Sequence, residues 1–147
     1  MEAKTGRGYV YSLQYHIVWC VKYRKKILTA ERAAYLESVL RRTAAENGIG
    51  ILEINSGDGD HVHLLVDCTP QHLIPSIIKS FKGTSARWLF REFPELRREL
   101  WGGSVWNPSY FVATVSENTE AQVRRYIQNQ NDSEPESPEE TEDERTV

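Results

Sequence analysis

Residues Asp60-His61-Val62-His63-Leu64-Leu65-Val66-Asp67-Cys68 decide how the chain is read. Successive side chains of a β-strand point to opposite faces, so residues two apart lie side by side. Val62, Leu64 and Val66 make one face apolar, and His61 and His63 fall together on the other. The stretch predicts a strand over 61–68 with one core face. Just upstream, Gly57-Asp58-Gly59 reads as a hairpin-like turn and Ile49–Ile54 as the strand before it. Thr29 is a plausible N-cap for a helix through about Glu46, buried through Leu36, Val39 and Leu40 and stopped by Asn47-Gly48. From Tyr9 to Tyr23 every odd position is apolar or aromatic, which predicts one long strand. Downstream, Pro75 suits the first turn of a helix to about Arg91, with Ile77, Ile78, Phe81 and Leu89 inward and Gly83 as a weak point. Pro94 ends or restarts that helix, and Trp101-Gly102-Gly103 reads as a flexible joint. Tyr110–Val115 is a fourth strand, and Thr119 with Gln122 forms a capping box for a last helix through about Gln130.

The order β-α-β-β-α-β plus a C-terminal helix predicts an α+β, ferredoxin-like antiparallel sheet with helices on one face. In that topology the first and third strands are central neighbours. Gln14 and His16 then share the uncovered face with His61 and His63.

With 147 residues the chain holds one domain, taken as 1–131, large enough for a core without disulfides. Cys20 and Cys68 lie in apolar runs and read as buried thiols of a reducing cytosol. No apolar stretch is long enough to span a membrane, and no apolar signal region follows the charged N-terminus, so a cytoplasmic protein is expected. The net charge of −3 hides a division. Residues 132–147 carry eight acids against Arg145 alone, and read as an acidic, disordered tail. Residues 1–131 are left with a net charge of +4, which permits nucleic-acid binding without requiring it.

Two adjacent imidazoles are good divalent-metal ligands and poor core filler. Two are too few for a tight site, so a third ligand has to come from elsewhere in the fold. The histidine-triad nucleotide hydrolases need a third alternate histidine, and Leu65 stands there instead. The absence of a Cys/His cluster argues against structural zinc. Two imidazoles with an oxygen donor suit Mg²⁺ or Mn²⁺ with open positions for a phosphate. In the last helix Val123, Tyr126 and Ile127 form one stripe, and Gln130 follows Tyr126 by one turn. Composition alone does not single out Tyr126 among seven tyrosines.

A succession of motifs does. Tyr15-His16-Ile17-Val18-Trp19-Cys20-Val21-Lys22-Tyr23-Arg24, Asp60-His61-Val62-His63-Leu64-Leu65-Val66 and Lys82-Gly83-Thr84-Ser85-Ala86-Arg87 come first. Leu100-Trp101-Gly102-Gly103, Trp106-Asn107-Pro108-Ser109-Tyr110-Phe111 and Arg125-Tyr126-Ile127-Gln128-Asn129-Gln130 come after them in order. From about residue 8 to 131 the chain resembles the single-tyrosine HUH transposases of bacterial and archaeal insertion sequences, the TnpA type. One departure is Gly59, where that family commonly has proline. The resemblance implies His61 and His63 as metal ligands, Gln130 as the third, and Tyr126 as the nucleophile that forms a 5′-phosphotyrosine. It further implies Mg²⁺ or Mn²⁺ as cofactor and single-stranded DNA with hairpins at the element ends as partner. A homodimer whose C-terminal helix reaches the other subunit's histidines is also implied, with Gly102-Gly103 and the loop after Val115 as candidate hinges.

Lys22, Arg24, Lys25 and Lys26 after the first strand, and Lys79, Lys82 and Arg87 on the second helix, are candidates for phosphate contacts. His16 is a candidate neighbour of the metal ligands. Trp88, Trp101 and Trp106 are better read as packing than as base-stacking platforms. Two other readings remain open on sequence alone. One is a ferredoxin-like nucleic-acid-binding module without catalysis, the other a domesticated relative acting on repeated chromosomal palindromes.

Overall fold

The computed structural model describes residues 3–6, 8–115 and 119–130. The acidic tail and the loop after Val115 lie outside them. The long strand expected over Tyr9–Tyr23 is divided into three pieces, and this is the main correction to the sequence reading. A hairpin of β1 (Lys4–Gly6) and β2 (Tyr9–Tyr11) stands apart from the main sheet. Gly8 turns it with φ +80°, a conformation that costs glycine little. Lys4 pairs with the Asp67 carboxylate, tying the hairpin to the sheet. The sheet strand proper is β3 (Leu13–Cys20). After Cys20 the chain leaves the ladder: the Val21 amide donates to the Asp60 carbonyl, and that of Lys22 to Val105. A 3-10 turn over Lys22–Arg24 comes next, with Tyr23 and Arg24 at φ 61° and 54°, left-handed values no strand accommodates.

The remaining elements keep the predicted order. Helix α1 (Ala30–Glu46) starts where the Thr29 hydroxyl accepts from the Arg32 amide. Strands β4 (Gly50–Asn55) and β5 (His61–Cys68), helix α2 (Ile74–Glu92), the short α3 (Leu96–Glu99), β6 (Phe111–Thr114) and α4 (Thr119–Asn129) complete the chain. The sheet order is β4-β5-β3-β6, with every pair antiparallel. That is the ferredoxin-like arrangement, with β3 and β5 at its centre. Thr119 opens α4, and its hydroxyl donates to the Thr114 carbonyl at 3.1 Å.

The odd positions of β3 and the even positions of β5 build the core with α1 and α2. Ile17, Trp19, Val62, Leu64 and Val66 are wholly buried, against Leu36, Leu40, Ile78, Phe81 and Leu89. The indole of Trp106 meets Trp19 edge-on at 5.8 Å and donates to the Ser85 hydroxyl at 3.0 Å, so this tryptophan packs rather than stacks on bases. Among the described residues no helix is long and apolar enough to cross a membrane.

Two glycines contrast in what their positions demand. Gly59 sits at φ +92°, a conformation closed to proline, and its carbonyl accepts from the Leu28 amide at 3.0 Å. Gly83 has no such reason for being glycine: it is mid-helix in α2, and an added Cβ would meet nothing within 4 Å. A glycine there costs the helix about 1 kcal/mol relative to alanine.

Candidate active site

Strand register collects the histidines. His63 lies opposite Val18 and His61 opposite Cys20, while His16 lies opposite Leu65. Side chains directly opposite share a face, so His16, His61 and His63 all project from the face away from α1 and α2, as the alternation predicts. Helix α4 packs on β6 and β3 over this face. Val18 and Cys20 are therefore fully buried, and Val123 of α4 is nearly so.

Each imidazole is held. His61 Nδ1 lies 2.7 Å from Asp60 Oδ1, and Arg24 Nε donates to Asp60 Oδ2 at 2.9 Å. The His61 ring rests over the α-carbon of Gly57, where an added Cβ would lie 2.8 Å from Nε2. His63 Nε2 and His16 Nδ1 are 2.7 Å apart, sharing a hydrogen bond with rings 5.0 Å between centroids. Burial, above all, holds both below the ordinary histidine value, with Glu53 and Glu120 opposing it. Two rings sharing one hydrogen bond are therefore neutral at neutral pH. For Asp60, burial pushes the carboxyl up, but the hydrogen bonds from His61 and Arg24 outweigh it and the net displacement is downward.

Helix α4 presents the other half. The Tyr126 hydroxyl is 2.9 Å from Ser109 Oγ, and its ring lies 5.6 Å from that of Phe111. Burial raises the phenol pKa, and the Ser109 hydrogen bond partly offsets this. Asn107 Nδ2 donates to Gln130 Oε1 at 2.8 Å. Lys82 Nζ donates to the carbonyls of Asn107 and Ser109 at 2.7 and 3.2 Å, fixing the loop that holds Tyr126 and Gln130. On the opposite side Arg24 Nη1 donates to the Ile127 carbonyl at 3.1 Å. That one guanidinium spans the Asp60–His61 pair and the last turn of α4. Tyr126 also lines a cleft of about 430 Å³ between α4 and β6, with Phe111, Ala113, Gln122, Arg125 and Asn129.

The structure thus brings His61, His63 and His16 together, and separately brings Tyr126 and Gln130 to the 107–109 loop. No hydrogen bond joins Tyr126 or Gln130 to either histidine among the described residues. Nor do three or more His, Cys, Asp and Glu side chains gather there in a way that could hold a metal ion. The basic candidates divide. Arg24, Lys25 and Lys82 are spent on contacts within the chain, Lys25 donating to the Glu99 carbonyl at 2.8 Å and lying over the Trp101 ring. Lys22 lies over the Tyr23 ring at 5.1 Å, whereas Lys26, Lys79 and Arg87 are exposed. The sequence reading did not single out Asp60, Asn107 and Ser109, which contact the candidate residues His61, Gln130 and Tyr126, although all three lie inside the motifs already quoted. A carboxylate next to a ligand-type histidine was the available signal for Asp60.

Comparison with known proteins bears on family and fold. The family profile described as IS200-like transposase matches residues 9–130. The ISDra2 transposase TnpA of Deinococcus radiodurans is 52% identical over 134 residues, covering 91% of this chain and 95% of its own. The transposase of insertion sequence IS200 from Salmonella typhimurium is 31% identical over 120 residues, covering 82% and 78%. A crystal structure of a Deinococcus radiodurans protein assigned as a transposase superposes with a TM-score of 0.84 at 49% identity, covering 88% of this chain and 99% of that one. A REP-associated tyrosine transposase bound to a REP hairpin shares the fold, with a TM-score of 0.52 at 9% identity, covering 88% and 76%. With this match over nearly the whole described body, the chain belongs to the IS200-like transposase family.

Proposed function

We propose that the protein cleaves and rejoins single-stranded DNA at the ends of an insertion sequence, with Tyr126 as nucleophile and a divalent metal at His61, His63 and Gln130. One observation carries the reading: the sheet face holding His61 and His63 is the face covered by the helix that bears Tyr126 and runs into Gln130.

The chemistry balances on the chain's own residues. Tyr126 Oη forms a bond to the scissile phosphorus, the bond from phosphorus to the 3′ oxygen breaks, and the phenol proton is lost as that oxygen gains one. The product is a 5′-phosphotyrosine with a free 3′-OH. The ester bond is conserved, so rejoining by attack of a 3′-OH needs no nucleotide hydrolysis. Because burial holds the phenol protonated, Tyr126 has to leave Ser109 and give up its proton in the same event.

The donor set fits a metal such as Mg²⁺ or Mn²⁺. Asp60 fixes the His61 ring through Nδ1, which leaves Nε2 as its ligating atom. Neutral imidazoles are the ligating form, and His63 is kept neutral by burial. Ligation through Nε2 of His63 would replace its hydrogen bond to His16, whereas Gln130 Oε1, with two lone pairs, could ligate while still accepting from Asn107. When bound, the metal supplies polarisation of the scissile phosphate and stabilises charge on the leaving oxygen. A homodimer in which α4 completes the partner's site belongs to the same reading.

The test is covalent capture. Incubated with single-stranded DNA from its own element ends and Mn²⁺, the wild type should give a denaturant-resistant adduct, Tyr126→Phe none, and His61→Ala and His63→Ala very little. An adduct that persists in Tyr126→Phe would sink the assignment.

A further inference from the structure

Gly83 weakens α2 without any return inside the chain. Its backbone is ordinary helix, and nothing lies within 4 Å of where its Cβ would be. Helical glycines that neither turn nor packing requires leave room for another molecule to approach the backbone. The space is a cleft of about 320 Å³ between α2 and the 108–110 loop, walled by Pro75, Ile78, Gly83, Pro108 and Tyr110 and flanked by Lys79 and Lys82.

Three features of the cleft define its occupant. The walls are mostly apolar, and Tyr110 leaves 39% of its surface exposed, a large aromatic without cover. Both charged groups at the rim are cations and no acid lines it. Lys82 is half-buried with its ammonium on two backbone carbonyls and in no ion pair among the described residues, and burial lowers its pKa. A flat, neutral ring tethered to an anionic phosphate satisfies all three. The cleft's position points the same way, since the loop that offers Tyr110 holds Tyr126 through Ser109.

We propose that this cleft seats one unpaired nucleotide of a DNA single strand, its base against Tyr110 and Pro108, its backbone phosphate on Lys79, and the bare helix surface at Gly83 accommodating its edge. The seat rests on the proposed function, because it positions the strand that Tyr126 attacks. Stacking of a base on an aromatic side chain is sequence-tolerant and contributes about ten-fold or more in affinity.

The experiment uses the full chain and a fluorescent single-stranded oligonucleotide carrying 5-iodouracil, with photocrosslinking read by mass spectrometry. The wild type should crosslink at Tyr110. Gly83→Ala should keep the crosslink and melt at a higher temperature. Gly83→Trp fills the cleft with no chain atom in the way of its Cβ; it should fold, lose the crosslink and bind the strand about ten-fold or more weakly. Tyr110→Ser, at an already exposed position, should lose the same affinity, and Lys79→Ala should lower the salt dependence of binding by about one unit of slope. Gly83→Trp with wild-type affinity and crosslinking would overturn the seat. A change of oligomeric state with unchanged DNA affinity would also overturn it, assigning the cleft to a second copy of the chain. A wild type that binds no single strand at all would defeat the proposed function itself, whereas binding with no contact at Tyr110 defeats only the seat.

Discussion

Replacing Arg24 with alanine strips Asp60 of its cationic partner while leaving the carboxylate in place. The Asp60 side chain is 4% exposed and Arg24's is 21% exposed. Removing one member of a buried ion pair costs about 3–5 kcal/mol, because the survivor is left charged and poorly solvated. The partial exposure of Arg24 lets water reach part of the space it vacates, which puts the expected loss near the lower end, about 3 kcal/mol. The hydrogen bond to the Ile127 carbonyl adds about 1 kcal/mol, confined to the last turn of α4. For a domain of this size the sum corresponds to a drop of roughly 10–15 °C in Tm. Urea unfolding of wild type, Arg24→Ala, Asp60→Ala and the double variant closes a thermodynamic cycle. The double variant should cost less than the two singles together by about 2 kcal/mol or more, since it removes both charges. A cycle that closes additively, or an Arg24→Ala loss under about 1 kcal/mol, would show that Asp60 is solvated. Arg24 could not then be holding His61 through it.

Two further outcomes rest on the same geometry. Gly57→Ala places a Cβ against the His61 ring at a residue whose φ is +53°; it should lose about 1–2 kcal/mol in denaturant unfolding and bind Mn²⁺ about ten-fold or more weakly by calorimetry. Full Mn²⁺ affinity in that variant would remove His61 from the ligand set. The second concerns pH: burial lowers the pKa of His16 and His63 in the folded state, so the unfolded chain takes protons first as pH falls. Stability without metal should be flat above pH about 6.5 and decline below it, and His16→Gln should reduce that decline. The depressed carboxyls of Asp60 and Glu99 act the other side of the gap, contributing a loss only below about pH 4.5. A melting temperature constant from about pH 7 to 5 would contradict the buried, neutral His16–His63 pair.

Much of the fold was legible because β5, α1 and α2 obey a single period each. The alternation at 61–68 needs no distant information, and Thr29 and Pro75 mark helix starts locally. The register then delivers His16 to the histidine face, since β3 and β5 are neighbours in this topology. The first strand was misread because its period survives two breaks. Tyr9–Tyr11 alternates in phase with Leu13–Cys20 but pairs with Lys4–Gly6, and Tyr23 keeps the pattern while its backbone turns left-handed. Periodicity reports which face is apolar and says nothing about which strand supplies the hydrogen bonds. The clamp on α4 was illegible for a different reason. Arg24–Asp60, Arg24–Ile127, Asn107–Gln130 and Ser109–Tyr126 join residues 36, 103, 23 and 17 apart, through single polar contacts that leave no pattern along the chain.

The way α4 is held also bears on what Tyr126 is able to do. Helix α2 buries Ile77, Ile78, Phe81, Ser85, Leu89 and Phe90, whereas α4 buries only Thr119 and Val123. A buried valine contributes about 1.5–3 kcal/mol, and the hydrogen bonds from Arg24, Asn107 and Ser109 each contribute about 1 kcal/mol net. Unseating the last turns of α4 therefore costs about 4.5–6 kcal/mol. Losing α2 would remove six buried side chains and with them the core. The helix bearing the proposed nucleophile is thus at the low-stability end of the fold, where local opening precedes global unfolding. Apart from Val123, the residues opposing its release are polar and exchangeable. A strand seated on Lys79 and Tyr110 presses on the same loop that Lys82 fixes, and it offsets the loss of Ser109 and Asn107 with contacts of its own. In the proposed reaction, DNA binding itself supplies the free energy that moves Tyr126 off Ser109, and the sheet carrying His61 and His63 stays intact while it does so.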